Sequence, residues 1–195
     1  MRLRSIKFRW LTAALVGILL GGCSMMGNMA GSMGMAPMGS YGDVSDAKDL
    51  WTVLKNKQLV GENAKRANVY MGTPPHGKVL ETLHQKITVD GRTGLAIIKR
   101  NYGGDGVSIN SDKETPAKFL KAVTVMFKRE NGYDDEDKNW FYAKFKPDGS
   151  LFTKSKMGMN LQLAGRVAKG KPEGCISCHQ SAPGGDFVFA QDIKI

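Results

Sequence analysis

The feature that most constrains this chain is a Cys-Xaa-Xaa-Cys-His run at Cys175–His179, close to the end of the sequence. Two thiols at this spacing can each add to a vinyl group of haem, and the adjacent imidazole can then bind the iron. A thioredoxin-like redox pair would need a βαβ setting, and a zinc site would need a further Cys/His pair downstream. Residues 180–195 contain no Cys, His or Met. The run therefore predicts one covalently attached haem c, held by Cys175 and Cys178, with His179 as the axial iron ligand.

The N-terminus predicts export. Four basic residues within the first nine positions precede an apolar run at 11–20, which is too short to span a bilayer and is typical of a signal peptide. Leu20-Gly21-Gly22-Cys23 resembles the lipobox of bacterial lipoproteins, in which the cysteine carries the lipid. We predict a signal peptide at 1–22 and lipid attachment at Cys23, on the periplasmic side of a bacterial membrane and expected at the outer membrane. Ordinary cleavage would instead leave a free, reactive thiol in an oxidising compartment.

Charge bears on the partners of the mature protein. The chain has 28 Lys and Arg residues against 18 Asp and Glu residues, and loss of residues 1–22 takes the formal charge from +10 to +6. This excess favours an anionic surface or an acidic redox partner cytochrome through long-range steering. The chain lacks the basic run interleaved with aromatics that is typical of nucleic-acid binding, so we expect no nucleic-acid partner.

Composition divides the mature chain in two. Residues 23–42 are rich in Met, Gly and Ser and predict a flexible tether. Thioethers are soft metal ligands, so a weak Cu(I) site formed by these methionines is one alternative. Compositional drift is the simpler explanation for their abundance. Residues 43–195 are predicted to form one haem domain.

Hydrophobic periodicity predicts the elements of that domain. Ser45 is expected to cap a helix over 46–55, and strands are expected at 78–84, 94–102, 122–128 and in a hairpin of 140–145 with 151–153. The nearly continuous apolar run at 122–128 indicates a central strand. The acidic residues 134–137 are expected to form a solvated turn, and 160–168 a short helix. We therefore predict an α+β domain, mainly an antiparallel β-sheet with flanking helices and haem attached near the C-terminus.

A second axial ligand would have to come from residues before Cys175–His179, which we call the attachment run. His76 and His84 are the remaining histidines, and we expect both to be structural or surface residues. Met126, Met157 and Met159 are further candidates, of which Met126 lies in an apolar strand and is expected to pack in the core. The simplest interpretation is an iron with one protein ligand and an open face. An open face favours small diatomic or nitrogenous ligands over electron transfer.

Several segments, taken in order, resemble the cytochrome P-460 family and the related beta cytochromes c-prime. They are Pro-Pro-His-Gly at 74–77, Gly-Leu-Ala-Ile-Ile-Lys-Arg-Asn-Tyr at 94–102, Asn-Trp-Phe-Tyr-Ala-Lys-Phe at 139–145, and Asp-Phe-Val-Phe at 186–189 after the attachment run. The resemblance implies a homodimeric c-type haem protein with a five-coordinate iron. It also implies either hydroxylamine oxidation with nitric oxide handling, or binding of nitric oxide or carbon monoxide without turnover.

The resemblance also singles out Lys99, which falls where the enzymes carry a lysine linked covalently to haem. From the residues alone, Leu95, Ile97 and Lys99 share one face of a strand, although Lys99 could equally extend to the sheet margin. The enzymes' distal carboxylate has no counterpart at 122–128, where Thr124 and Met126 stand.

These observations rank three functions. We predict first a protein that binds nitric oxide or a related small nitrogenous ligand, with redox detoxification as an extension. The alternatives are a hydroxylamine/nitric oxide oxidoreductase with a Lys99–haem crosslink, and a periplasmic electron-transfer cytochrome.

Overall fold

The computed structural model describes residues 38–156 and 158–189. In chain order the elements are helix α1 (Tyr41–Asn56), strands β1 (Val69–Met71), β2 (Val79–Val89) and β3 (Arg92–Tyr102), helices α2 (Ile109–Glu114) and α3 (Pro116–Phe119), strand β4 (Leu120–Lys128), a 3-10 turn (Asp135–Asp137), strands β5 (Trp140–Phe145), β6 (Thr153–Lys156), β7 (Met159–Gln162) and β8 (Ala164–Gly165), and helix α4 (Cys175–His179). No helix within these residues combines the length and apolar character that a membrane crossing requires.

Within the described residues, the strands form a six-stranded antiparallel sheet in the order β1-β2-β3-β4-β5-β8, with β6 and β7 paired in a separate ribbon. This arrangement confirms the predicted α+β class with mainly antiparallel sheet. Strand β4 lies between β3 and β5, as its continuous apolar sequence predicted. The turn between β2 and β3 consists of Asp90 and Gly91, both with positive φ, as a two-residue hairpin requires.

The sheet presents two apolar faces. One face packs against α1, which buries Ala47, Leu50 and Leu54 among side chains such as Ile98 and Phe141. The other face carries a second cluster that includes Ile97, Met126, Trp140 and Tyr142 from the sheet and Ile176 from α4. Helix α4 and the candidate site therefore lie on the face of the sheet opposite α1.

Helix α1 begins earlier than the sequence indicated. Its N-cap is Ser40 rather than Ser45, because the Ser40 hydroxyl accepts a hydrogen bond from the Asp43 backbone N–H while the Asp43 carboxylate accepts one from the Ser40 N–H. Met38 is also buried and forms an isolated β-bridge with Gly165. The boundary predicted at residue 42 between tether and domain therefore shifts to before Met38.

The segment after the β5 strand differs most from expectation. Residues 160–168 were predicted to be helical, but their backbone groups pair across strands: the Lys144 N–H donates to the Leu163 carbonyl and the Leu163 N–H to the Phe152 carbonyl. Gly165 has positive φ, and a Cβ there would collide with the Asp43 carboxylate. The predicted hairpin of 140–145 with 151–153 is confirmed next to its turn, where Phe145 and Leu151 form a bridge and the Phe152 N–H donates to the Lys144 carbonyl. It does not extend further, since β6 pairs with β7.

Candidate haem site

A cavity of about 870 Å³ lies between the sheet and α4. Its volume falls within the range of small-molecule and cofactor pockets. The described residues that line it include both cysteines and the histidine of the attachment run, side chains from β3, β4 and β5, and His76 from the loop before β2. The fold thus gathers most of the residues that the sequence singled out around one space.

Helix α4 presents the attachment run to this cavity. Its N-cap, Gly174, has a φ of 138°, and a Cβ at that position would collide with the Cβ of Ala168. Glycine therefore permits the close approach that begins the helix. Cys175 and Cys178 lie three positions apart, on the same side of a helical turn, and both line the cavity. Burial raises the pKa of the Cys175 thiol to about 11, which reflects the apolar surroundings of this side chain.

The segment after α4 fixes the ring of His179. Its Nδ1 lies 2.8 Å from the carbonyl oxygen of Phe187. A carbonyl can only accept a hydrogen bond, so Nδ1 carries the hydrogen and the neutral ring has its lone pair on Nε2. A carbonyl of this kind orients a metal-binding histidine and selects the nitrogen that binds the metal. The indole N–H of Trp140 donates to the neighbouring Asp186 carbonyl at 2.9 Å, which ties the same segment to β5.

The sheet forms the other wall of the cavity. Ile97, Met126 and Tyr142 are paired neighbours across β3, β4 and β5, so they stand side by side on one face. Lys99 and Thr124, two residues along the same strands, are also cross-strand partners and line the cavity. Lys99 is 7 % exposed and shares its face with Ile97, as strand alternation requires.

The wall offers little acidic chemistry. Of the described residues that line the cavity, Glu173 is the acidic one, and its side chain is exposed. Thr124 accepts a hydrogen bond from the Asn101 amide at 3.2 Å. The Tyr142 hydroxyl is buried and has no hydrogen-bond partner within the described part of the chain. Burial, chiefly, raises the pKa of this phenol, which keeps it protonated and able to donate.

His76, which we expected to be a structural or surface residue, is partly buried at the cavity. It lines the cavity, and its Nδ1 lies 2.9 Å from Oδ1 of Asn101. Its ring centroid is 6.5 Å from that of His179, with the two rings nearly perpendicular. Asn101 was not singled out by sequence reasoning. The available signal was a polar amide within an otherwise buried strand.

The remaining candidates lie elsewhere. His84 is exposed on β2, and Met159 is 58 % exposed on β7. Met126 is buried in the cavity wall, which agrees with its expected packing role. Met157, Cys23, residues 1–22 and residues 23–37 of the predicted tether at 23–42 lie outside the described residues.

The acidic turn at 134–137 does not line the cavity but contacts the segments on either side of α4. Asp134 and Asp137 are buried and both form ion pairs with Lys169, so the expectation of a solvated turn is wrong for these two residues. Asp137 also accepts a hydrogen bond at 2.9 Å from the side chain of Gln180, directly after α4. Lys169 therefore joins the turn to the segment that carries the attachment run.

The chemistry of the lining fits a haem. The paired thiols and the Nε2 lone pair of His179 are groups of the kind that would attach a haem and bind its iron. Apolar side chains from the sheet suit a macrocycle, and the hydroxyl of Tyr142 is available to a polar atom of a bound group. Besides Lys99 and the ion-paired Lys169, three lysines among the described residues line the cavity and suit the carboxylates at the edge of a haem, namely Lys144, Lys154 and Lys171. No cluster of three or more His, Cys, Asp or Glu side chains suited to a free metal ion occurs within the described residues.

Comparison with known proteins gives one positive result. The model of the cytochrome P460 family matches residues 51–190, which span the sheet, the cavity and the attachment run. No curated protein and no solved structure gives a match. The family implies a haem cofactor, in agreement with the chemistry of the cavity. The matched region covers most of the chain, and the chain therefore belongs to the cytochrome P460 family.

Proposed function

We propose that this protein is an exported c-type haem protein that binds nitric oxide or a related small nitrogenous ligand. The observation that carries the proposal is the pairing of a buried, oriented His179 with a cavity wall that lacks a carboxylate among its described, buried lining residues. When bound, the haem supplies an iron that takes small diatomic ligands on the side opposite its histidine.

The chain's own residues explain why binding is favoured over oxidation. Oxidation of hydroxylamine releases protons and needs a positioned acceptor near the ligand. Thr124, on the strand where the sequence resemblance implies a carboxylate, is a neutral hydroxyl committed to hydrogen bonds with Asn101 and the Lys99 carbonyl. Ile97 and Met126 exclude water from the same wall. These features support reversible binding of an uncharged ligand.

An optical titration of the purified holoprotein tests this function. Addition of nitric oxide to the ferrous protein should shift the Soret band with saturable, stoichiometric binding. Holoprotein unfolded in denaturant serves as the control for haem without its pocket. An unchanged spectrum of the folded protein at saturating nitric oxide would overturn the proposal.

The second candidate is hydroxylamine oxidation with a Lys99–haem crosslink, and the burial of Lys99 in the cavity wall favours it. A bond from the lysine nitrogen to a haem carbon replaces one N–H and one C–H bond, so its formation requires a two-electron oxidant such as peroxide. The crosslinked holoprotein would weigh less than the thioether-linked form by the pair of lost hydrogens. Under the leading proposal this loss is not seen, and Lys99→Ala and the matched Lys144→Ala variant have the same haem mass.

Localisation and assembly complete the proposal. A lipid on Cys23 would hold the protein on the periplasmic side of the outer membrane, where an acidic partner cytochrome could exchange electrons with the haem. The resemblance described above supports a homodimer. Wild-type protein should fractionate with membranes and Cys23→Ala should not, and a membrane-bound Cys23→Ala protein would refute the lipid anchor.

Light scattering of the anchor-free protein should give twice the chain mass, and the mass of a monomer would refute the homodimer.

A further inference from the structure

The segment that follows α4 connects the predicted iron ligand to the sheet. Two successive carbonyls of this segment each accept a hydrogen bond from a buried side chain. The Asp186 carbonyl accepts from the indole N–H of Trp140 at 2.9 Å, and the Phe187 carbonyl accepts from Nδ1 of His179 at 2.8 Å. Trp140 is fully buried on β5, and His179 is buried at the end of α4. The contact that orients the ring of His179 is therefore next in the chain to a contact with the sheet.

Phe187 has a backbone conformation that its own side chain disfavours. Its φ is 62°, in the left-handed region, where a bulky residue other than glycine is an outlier. Such a conformation persists only where the surrounding structure holds it, and it is found most often at functional sites. The Phe187 side chain is 7 % exposed and packs in the cluster that contains Trp140 and Ile176. The direction of the Phe187 carbonyl is thus imposed by tertiary contacts.

The φ and ψ angles of Phe187 are the only soft dihedrals between the two carbonyls. The Asp186 carbonyl lies in the peptide plane before these angles, and the Phe187 carbonyl lies in the plane after them. Because the indole of Trp140 fixes the first plane, it limits where the second carbonyl can point. Without that contact, we expect Phe187 to return to a negative φ, which would turn its carbonyl away from Nδ1 of His179.

Lys128 makes a second contact with the same segment, but with a side chain and close to solvent. Its Nζ lies 2.6 Å from Oδ1 of Asp186 and 4.7 Å from the centroid of the Trp140 ring. The side chains of Lys128 and Asp186 are 33 % and 59 % exposed, and ion pairs at such exposure contribute little stability. The indole, which binds the carbonyl itself, is therefore the contact that decides the position of the segment.

We infer that Trp140 is a positioning residue for the axial histidine. Through the carbonyls of Asp186 and Phe187 it maintains the hydrogen bond that His179 donates, and so determines how much electron density the imidazole gives to the iron. A hydrogen bond of this kind raises the basicity of a metal-binding histidine, and it is one of the means by which a protein adjusts a haem iron. The inference rests on the proposed haem site with His179 as its ligand, but not on which small molecule binds the iron.

Resonance Raman spectra of the ferrous holoprotein measure the strength of the iron–histidine bond without any assay of activity. Trp140→Phe removes the indole donor, so the iron–histidine stretch should move to lower frequency. The reduction potential of the haem should rise, because a less basic imidazole stabilises the ferric iron less. Trp51→Phe is the matched control: Trp51 lies on α1, which packs on the opposite face of the sheet, so both values should equal those of wild type.

A folded Trp140→Phe protein with the wild-type stretch and potential would overturn the inference. Lys128→Met should stay close to wild type, and a shift as large as that of Trp140→Phe would assign the role to the ion pair and overturn the assignment to the indole. Far-ultraviolet circular dichroism and the covalent haem content show whether each variant is folded. If Trp140→Phe does not fold, the benzothiophene analogue of tryptophan at position 140 keeps the shape of the side chain and lacks only its N–H. It should give the lower stretch and the higher potential, and wild-type values would overturn the inference.

Nitric oxide binding separates this inference from the proposed function. A wild-type protein that binds nitric oxide, with unchanged values for Trp140→Phe, would refute the inference and keep the function. The expected shifts in a protein whose spectrum does not respond to nitric oxide would keep the inference and refute the function. A ferrous wild-type protein without an iron–histidine stretch would contradict the open iron face. The potential of Trp140→Phe would then decide the inference, since a rise supports it and an unchanged value overturns it.

Discussion

Oδ1 of Asn101 lies 2.9 Å from Nδ1 of His76 and connects a loop histidine to the buried strand β3. The Asn101 amide is held in turn by backbone carbonyls of β3 and β4. The position of His76 in the cavity therefore depends on the sheet, although the residue itself precedes β2.

Replacement of Asn101 by Ala should loosen His76 and destabilise the domain. The variant loses the acceptor of the His76 hydrogen bond and leaves buried carbonyls without a donor, at a cost of about 1–3 kcal/mol. We expect a lower melting temperature for this variant. Thr124→Val removes one contact of the same amide but keeps the carbonyl contacts, so its melting temperature should stay close to that of wild type. Equal melting temperatures for wild type and Asn101→Ala would contradict this role of the amide.

Single replacement of Cys175 or Cys178 by Ala should leave haem attached through one thioether. The double variant should retain no haem after denaturation, because both attachment points are lost. Haem staining of a denaturing gel and intact mass measure the outcome. Cys23→Ala is the control, and its haem content should equal that of wild type. Haem that stays attached to the Cys175→Ala/Cys178→Ala protein would exclude attachment through these thiols.

Replacement of Glu81 by Gln should destabilise the protein by about 3–5 kcal/mol, since it breaks a buried ion pair. The carboxylate is fully buried and accepts hydrogen bonds from Arg100 at 2.9 Å and Tyr102 at 2.7 Å. Chemical denaturation at neutral pH measures the loss. Glu130→Gln is the matched control: Glu130 pairs with Arg129 at a half-exposed position, so the expected change is about 0–1 kcal/mol.

The same carboxylate predicts an acid dependence. Burial alone would raise the pKa of Glu81, but the hydrogen bonds of Ala67 and Tyr102 and the charge of Arg100 outweigh it and lower the pKa below the ordinary 4.5. A lowered folded-state pKa stabilises the fold above the unfolded-state value and loses that stabilisation as the pH falls below it. The difference in unfolding free energy between wild type and Glu81→Gln should therefore shrink below about pH 4.5. A difference that is constant from pH 7 to pH 3 would contradict this origin.

Replacement of Lys169 by Met should destabilise the domain by roughly 3 kcal/mol, because Asp134 and Asp137 stay buried without their cation. Desolvation opposes the charge of Lys169, but its hydrogen bonds to Asp134 and Glu136 raise its pKa. Its contribution is therefore present at neutral pH and lost as the pH rises through the folded-state pKa, so wild type should approach the variant in strong alkali. Lys171→Met, at an exposed position, should unfold like wild type.

The elements that were predicted well are those whose sequence pattern agrees with their surroundings. Asp90-Gly91 specified its turn, since both residues tolerate the positive φ that a two-residue hairpin needs. The apolar run at 122–128 specified a central strand because both faces of β4 are covered. The segment 160–168 was predicted poorly because its hydrogen bonds go to partners that are distant in sequence, such as Lys144.

By itself, the sequence indicated the family and predicts the attachment chemistry, because both depend on the order and spacing of residues along the chain. The Cys175–His179 run predicts its cofactor without reference to any neighbour. Which side chains line the cavity beside that run was decided by the tertiary structure. The pairing of Lys99 with Thr124 depends on the register of β3 with β4, the position of His76 depends on Asn101, and the ring orientation of His179 depends on the carbonyl of Phe187. Contacts of that kind join residues far apart in the chain, and no local pattern specifies them.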